Sequence, residues 1–278
     1  MNKILEIIKN FRKFVKAGGF IKVTLQNVIN TAQHKGKVAL ITGGTSGFGL
    51  AIAKKLVEGG ASVVITGRNK DKIDAALKEI KSPNAKGLIW NMTDFNSEHD
   101  KFNEAVALFG KLDIAVNNAG IWLATNWDNV TEEEWDNILD INTKGMYFIC
   151  REEAKYFKQS QNVNKIINIT SMEGVLPGFA PYWASKWACN GLTKGLAKEL
   201  ISSNTIVNAI APGPAKTNLN KNFFIGQDGN SYNSDTRSMT GRVIETDEVA
   251  SLVSFLASDS ANSIIGQIIV IDGGITLR

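Results

Sequence analysis

Short apolar runs alternate along the chain with stretches of helical periodicity, and this alternation begins at VALITGGTSGFG (38–49). Val38, Leu40, Ile41 and Thr42 read as a strand that runs straight into a Gly-rich turn; apolar positions then switch to helical spacing at Leu50, Ala53, Leu56 and Val57. The same alternation predicts strands at 62–66, 86–90, 114–117, 165–169, 205–211 and 268–271. Between them it predicts helices over about 70–81, 97–109, 131–157, 182–202 and 247–256, with an irregular stretch over 213–241. Six or seven short apolar strands separated by helices imply an α/β chain with a parallel sheet covered on both faces. Such sheets bind ligands in the crevice outside the carboxyl ends of their strands.

Ahead of this pattern, Ile4, Leu5, Ile8, Phe11 and Val15 form one face of a helix over residues 1–16, which Gly18 and Gly19 end. Three readings stay open for it: a helix packed on this or a neighbouring subunit, which is favoured, a membrane-surface anchor, or a disordered extension. The expected organisation is an N-terminal amphipathic extension over 1–35 and one catalytic domain over 36–278.

Charge sharpens this division. Residues 1–16 hold five cations against Glu6, which accounts for the whole net charge of +4; the rest of the 278 residues is balanced. A neutral body argues against nucleic acid as partner, because phosphate neutralisation needs a basic face. The longest apolar runs are too short to span a bilayer. Cys150 and Cys189 have no ligand-like spacing and read as packed thiols of a reducing, cytoplasmic compartment. With only His34 and His99, a histidine-rich metal centre is excluded, and no metal is expected.

The candidate chemistry lies where the strands end. Gly43, Gly47 and Gly49 let the backbone turn sharply and approach a pyrophosphate, and a helix opening near Gly47 or Phe48 aims free N–H groups at it. The short residues Asn118, Ala119 and Gly120 follow the fourth strand, and Ser171 follows the fifth. Tyr182 and Lys186 stand four apart on one helix face, and Asn142 falls in the long helix before them.

Taken in this order, TGGTSGFG (42–49), NNAG (117–120), DINTKG (140–145), NITSMEG (168–174), YWASK (182–186), NAIAPGPAKT (208–217) and IDGG (271–274) resemble the short-chain dehydrogenase/reductase family over 36–274. The resemblance implies a single Rossmann-type, doubly wound domain with a mainly seven-stranded parallel sheet, usually a homodimer or homotetramer. It implies Asn142, Ser171, Tyr182 and Lys186 as the catalytic set, with Tyr182 the acid/base and Lys186 lowering its pKa. It implies a nucleotide site at Gly43, Thr45, Ser46, Gly47, Phe48, Gly49, Asn91, Met92, Asn118, Ala119, Gly120, Pro212, Gly213 and Thr217, with Tyr182 and Lys186 at its nicotinamide end. After the second strand, Gly67 and Arg68 stand where NAD-users tend to be acidic, so NADP is favoured over NAD.

Two departures matter. Ser171 and Tyr182 are closer in sequence than is common in the family, and Asn91 stands where an aspartate is frequent. The substrate is expected to meet Trp122, Ser171, Glu173, Tyr182 and Trp183, with 214–241 closing as a lid and Trp187 at a subunit contact. A small ketone, sugar or polyol ranks above an acyl thioester of fatty-acid synthesis. A catalytically silent nucleotide sensor is the rival from another class, disfavoured by the unbroken Ser, Tyr and Lys set.

Overall fold

A computed structural model of the chain describes residues 33–123, 126–215, 217 and 238–278. The amphipathic segment 1–16, with its three readings, lies outside the described residues, as does most of the expected lid.

Seven strands form one sheet in the order β3-β2-β1-β4-β5-β6-β7: β1 (Val38–Ile41), β2 (Ser62–Gly67), β3 (Ala85–Ile89), β4 (Ile114–Asn117), β5 (Asn164–Ile169), β6 (Thr205–Pro212) and β7 (Ile268–Ile271). Every neighbouring pair runs parallel. The runs are rich in Val and Ile, whose branched side chains suit a pleated surface packed on both sides. The order reverses between β1 and β4, and this switch point opens a crevice at the carboxyl ends of both strands.

Period-two alternation divides the strand residues between two cores. Ala39, Ile41, Val63, Ile65, Ile114 and Val116 pack with α1 (Gly47–Glu58) and α7 (Thr246–Ala257). Leu40, Val64, Ala115 and Ile166 face the other side, against α3 (Glu98–Ala107), α5 (Met146–Phe157) and α6 (Pro181–Leu200). The remaining helices are α2 (Lys70–Ile80) and α4 (Glu132–Leu139). Cys150 and Cys189 are both free and buried in the second core, as expected of packed thiols.

Two boundaries differ from the sequence pattern. His34, assigned by the pattern to the extension, is buried; its N–H donates to Gly59 O at 2.7 Å and its ring meets Ser254 Oγ at 2.9 Å, so the body takes in Gln33 and His34. The expected single helix over 131–157 is α4 and α5 joined by a π-helical turn, Asp140–Gly145. Hydrophobic periodicity passes through this turn unchanged in sense, which is why it is not legible as a break. Its extra residue per turn presents Asn142 to the backbone beside β4. Gly145 permits the fit, because a Cβ there would stand 3.0 Å from Met92 O.

Candidate active site

The glycine turn after β1 is held by β4. The Asn118 side chain donates to Thr42 O at 3.0 Å and Gly43 O at 3.1 Å, while Thr42 Oγ1 accepts the N–H groups of Asn118 and Ala119, each at 3.0 Å. Gly43 and Gly47 have φ of 65° and 53°, in the left-handed region that favours glycine. A Cβ on Gly49 would meet Gly43 O at 2.4 Å, so the turn folds onto the start of α1 only because that position is bare. Thr217 closes over the turn from beyond β6: its Cβ lies 3.3 Å from where a Cβ of Gly47 would be.

This cradle is one end of a cleft of about 780 Å³. Thr45, Ser46, Phe48, Arg68, Asn91 and Met92 line it with the glycines, as do Asn118, Ala119, Gly120, Pro212, Gly213 and Thr217. Of the expected nucleotide residues, Gly49 alone stands behind the wall rather than in it. Arg68 is exposed and makes no ion pair or hydrogen bond among the described residues. Lys72, which sequence reasoning missed, lines the cleft in the first turn of α2 beside the N-cap Asn69. The available signal was its position: a helix N-terminus disfavours cations, and among the described residues Lys72 has no acidic partner such as Lys70 finds in Asp74 at 2.6 Å. A long cleft with a bare glycine cradle at one end and the cations Arg68 and Lys72 beside it fits a dinucleotide, with its pyrophosphate on the N-terminus of α1.

At the other end β5, the following loop and α6 bring Ser171, Tyr182 and Lys186 together. Tyr182 lies in the first turn of α6, which opens with Pro181 at its first position, and Lys186 Nζ is 5.5 Å from the Tyr182 ring centroid. Lys186 is buried and donates to Ile169 O at 3.4 Å. The shortened loop still delivers Ser171, because Gly174 packs directly on α6: a Cβ there would be 2.8 Å from Lys186 O, and the Asn190 amide donates to Gly174 O at 2.9 Å.

Asn142 does not line the cleft. Its Oδ1 accepts the Ile121 N–H at 2.8 Å and its amide donates to Ile121 O at 2.9 Å and Ser185 Oγ at 3.2 Å. It ties the π-helical turn to the β4 loop and to α6, behind Gly120, where a Cβ would come within 3.1 Å of Asn142 Oδ1 and 3.6 Å of Lys186 Nζ.

The Tyr182 phenol is pushed well above its ordinary value, first by burial and next by the Glu173 carboxylate, with the Ser171 hydroxyl pulling the other way. Burial also lowers the proton affinity of Lys186. Both shifts follow from removing a charged form from water.

Trp122, Glu173 and Trp183 line the cleft beside Tyr182, together with Leu176 and Pro177. Trp122, Tyr182 and Trp183 also wall a side cavity of about 250 Å³ that reaches Val130 and Ile138. Phe179 is absent from both walls, exposed and edge-on to Trp127 at 5.6 Å. Trp187 is also exposed in the single chain, its indole N–H donating to Leu176 O at 3.0 Å.

A family model described as enoyl-(acyl carrier protein) reductase matches residues 43–276. The chain belongs to the short-chain dehydrogenase/reductase family. It is 34% identical over 247 residues to a 3-oxoacyl-acyl-carrier-protein reductase of Thermotoga maritima, covering 87% of this chain and 99% of the relative. It is 37% identical over 245 residues to a 3alpha-hydroxysteroid dehydrogenase of Mediterraneibacter gnavus, covering 86% and 96%. An NADP-dependent (R)-specific alcohol dehydrogenase of Lentilactobacillus kefiri is 35% identical over 253 residues, covering 89% and 100%. Among solved structures, a 3-ketoacyl-acyl-carrier-protein reductase from Brucella melitensis complexed with NADH superposes with a TM-score of 0.79 at 33% identity, covering 87% and 99%. This short-chain dehydrogenase/reductase is therefore an oxidoreductase that interconverts a carbonyl and an alcohol with a nicotinamide cofactor.

Proposed function

We infer that the chain is an NADP(H)-dependent oxidoreductase acting on a small ketone, sugar or polyol, with Tyr182 as its proton donor and acceptor. The observation that carries this reading is the convergence of Ser171, the buried Tyr182 phenol and the buried Lys186 ammonium at the end of the cleft opposite the phosphate cradle. A site that only binds nucleotide has no use for a buried acid/base tyrosine.

The cofactor supplies or removes a hydride at the substrate carbon. Tyr182 gives its proton to the carbonyl oxygen in reduction and takes it back in oxidation. Lys186, on the same face of α6, holds positive charge beside the phenol and binds the ribose. Asn142 fixes the π-helical turn against the Ile121 backbone and so keeps the floor beneath Lys186 in place. Ser171, Trp122, Glu173 and Trp183 bound the substrate, whose apolar part fits between the two indoles.

NADP rather than NAD is favoured by Arg68 and Lys72, two cations at the nucleotide end of the cleft without acidic partners among the described residues. A 2′-phosphate gives both a charge-assisted contact. The chain is read as a cytoplasmic homodimer or homotetramer; its exposed Trp135, Tyr147 and Phe255 on α4, α5 and α7 suit subunit contacts better than water.

Absorbance at 340 nm with NADPH or NADH against a panel of small ketones, sugars, polyols and a 3-oxoacyl thioester tests the reading. Preferred turnover of a small ketone or sugar with NADPH supports it. Preferred turnover of the thioester, the activity named for several relatives, replaces the substrate assignment and leaves the chemistry standing.

A further inference from the structure

Glu173 has a place in the cleft wall that substrate binding alone does not explain. The Ser171 hydroxyl donates to Glu173 Oε2, and the Glu173 N–H donates back to Ser171 Oγ at 3.3 Å. Ser171 is the N-cap of the one-turn 3₁₀ helix Met172–Gly174, whose last residue is packed against α6, so the backbone carrying both residues is held in place. A serine hydroxyl has one proton to donate. In the chain as it stands that proton lies towards Glu173.

Among the described residues, few titratable groups face Tyr182. Glu173 approaches from the β5–α6 loop, Lys186 and Cys189 lie on α6, and Glu134 of α4 stands across the side cavity with its carboxylate accepting the Thr131 N–H at 3.0 Å. Lys186 is the single cation in this set, and Glu173 acts on both it and Tyr182, supporting the ammonium and opposing the phenolate.

We propose that Glu173 is a positioning residue that confines alcohol oxidation to alkaline pH and leaves carbonyl reduction as the reaction run near neutrality: its carboxylate holds the Ser171 proton and sets a fixed negative charge beside Tyr182. In reduction, hydride from the reduced cofactor bonds to the carbonyl carbon and the π pair moves to oxygen. The Tyr182 O–H bond breaks to protonate that oxygen, and the phenolate recovers its proton from water. Oxidation needs the phenolate from the outset, beside the Glu173 charge. Glu173 leaves the overall equilibrium untouched; it decides which protonation state waits in each binary complex. The inference rests on the assignment of Tyr182 as acid/base.

Glu173→Gln removes the charge and keeps an oxygen for the Ser171 hydroxyl. The ionisation of Tyr182 is read with saturating NADP as the ultraviolet difference absorbance of tyrosinate during a pH titration, each protein against the same protein carrying Tyr182→Phe. The midpoint in Glu173→Gln is expected to fall by about one pH unit, a roughly tenfold change in ionisation constant, and Glu173→Asp to restore it. The pH profile of alcohol oxidation, for a substrate turned over in the panel above, moves by the same amount. An unmoved midpoint, no Tyr182 signal below the pH of unfolding in either protein, or a uniform loss of rate at every pH overturns the proposal. If Glu173→Gln does not fold, Glu173→Ala reads the same midpoint. Turnover surviving in Tyr182→Phe would instead overturn the acid/base assignment itself.

Discussion

Single residues decide which nucleotide this enzyme prefers. Arg68 is exposed at the cleft and unpaired among the described residues, so its guanidinium is available to a phosphate at no cost in broken contacts. Arg68→Ala is expected to weaken NADPH binding by about 1.5–3 kcal/mol, the range of a charge-assisted hydrogen bond, and to leave NADH nearly unchanged. Fluorescence titration with both cofactors checks this; equal losses would place Arg68 on the adenine. The place of Arg68 in the cleft wall was legible because it directly follows β2. Lys72 was not, because its cation comes to the cleft only through the start of α2 after the Asn69 cap, which accepts the Lys72 N–H at 3.0 Å. The Ser171–Glu173 contact was equally hidden: a spacing of two residues predicts no meeting until the 3₁₀ turn is known.

At the scale of elements, the cofactor site depends on how closely β1, its turn and α1 approach one another. Gly49→Ala would push a methyl group into Gly43 O and within 2.6 Å of the Asn118 amide, the side chain that fastens the turn to β4. Overpacking of this kind costs on the order of 1–3 kcal/mol. The variant is expected to melt earlier and to bind NADPH at least tenfold more weakly; a methyl tolerated with unchanged affinity would show that the turn is not held as tightly as the geometry requires. Strand and helix existence was legible along the whole body because apolar runs and 3.6-residue periodicity are strong signals in buried parallel sheets. The π-helical turn was not, since one additional residue in a helix leaves no mark on composition. Asn142 was found as a motif residue, but its work on the Ile121 backbone became visible only with the turn in place.

The molecule as a whole carries buried ionisable groups that tie its stability to pH. Glu153 is fully buried on α5, accepts the Asn117 amide at 3.0 Å, and burial raises its pKa to about 8. The folded state thus keeps a proton that the unfolded chain releases at its ordinary carboxylate value near 4.5, so stability declines as pH rises through about 8. Glu153→Gln is expected to flatten this decline, melting higher than the unaltered protein at pH 9 and losing that advantage near pH 5. A constant difference at all pH values would mean that packing rather than ionisation separates them. His34 acts in the opposite sense: burial lowers its pKa to about 4, so the fold loses stability as pH falls from about 6.5 towards 4 and the unfolded ring gains a proton first. His34 also shows why the domain start was drawn late. Its partners, Gly59 and Ser254, are distant in sequence, and no local pattern announces them.

The proposed chemistry has Tyr182 exchange the proton while the cofactor exchanges the hydride. Tyr182→Phe removes one oxygen and leaves the ring, α6 and the nucleotide cleft in place. NADPH binding followed by fluorescence in this variant, together with ketone reduction at 340 nm, separates the two roles. Cofactor affinity is expected to stay within about threefold of the unaltered enzyme, under half the roughly 1.4 kcal/mol of a tenfold change. Turnover is expected to fall by a factor of about 100 or more, the scale of general acid catalysis. Retention of most of the turnover by Tyr182→Phe would contradict this chemistry.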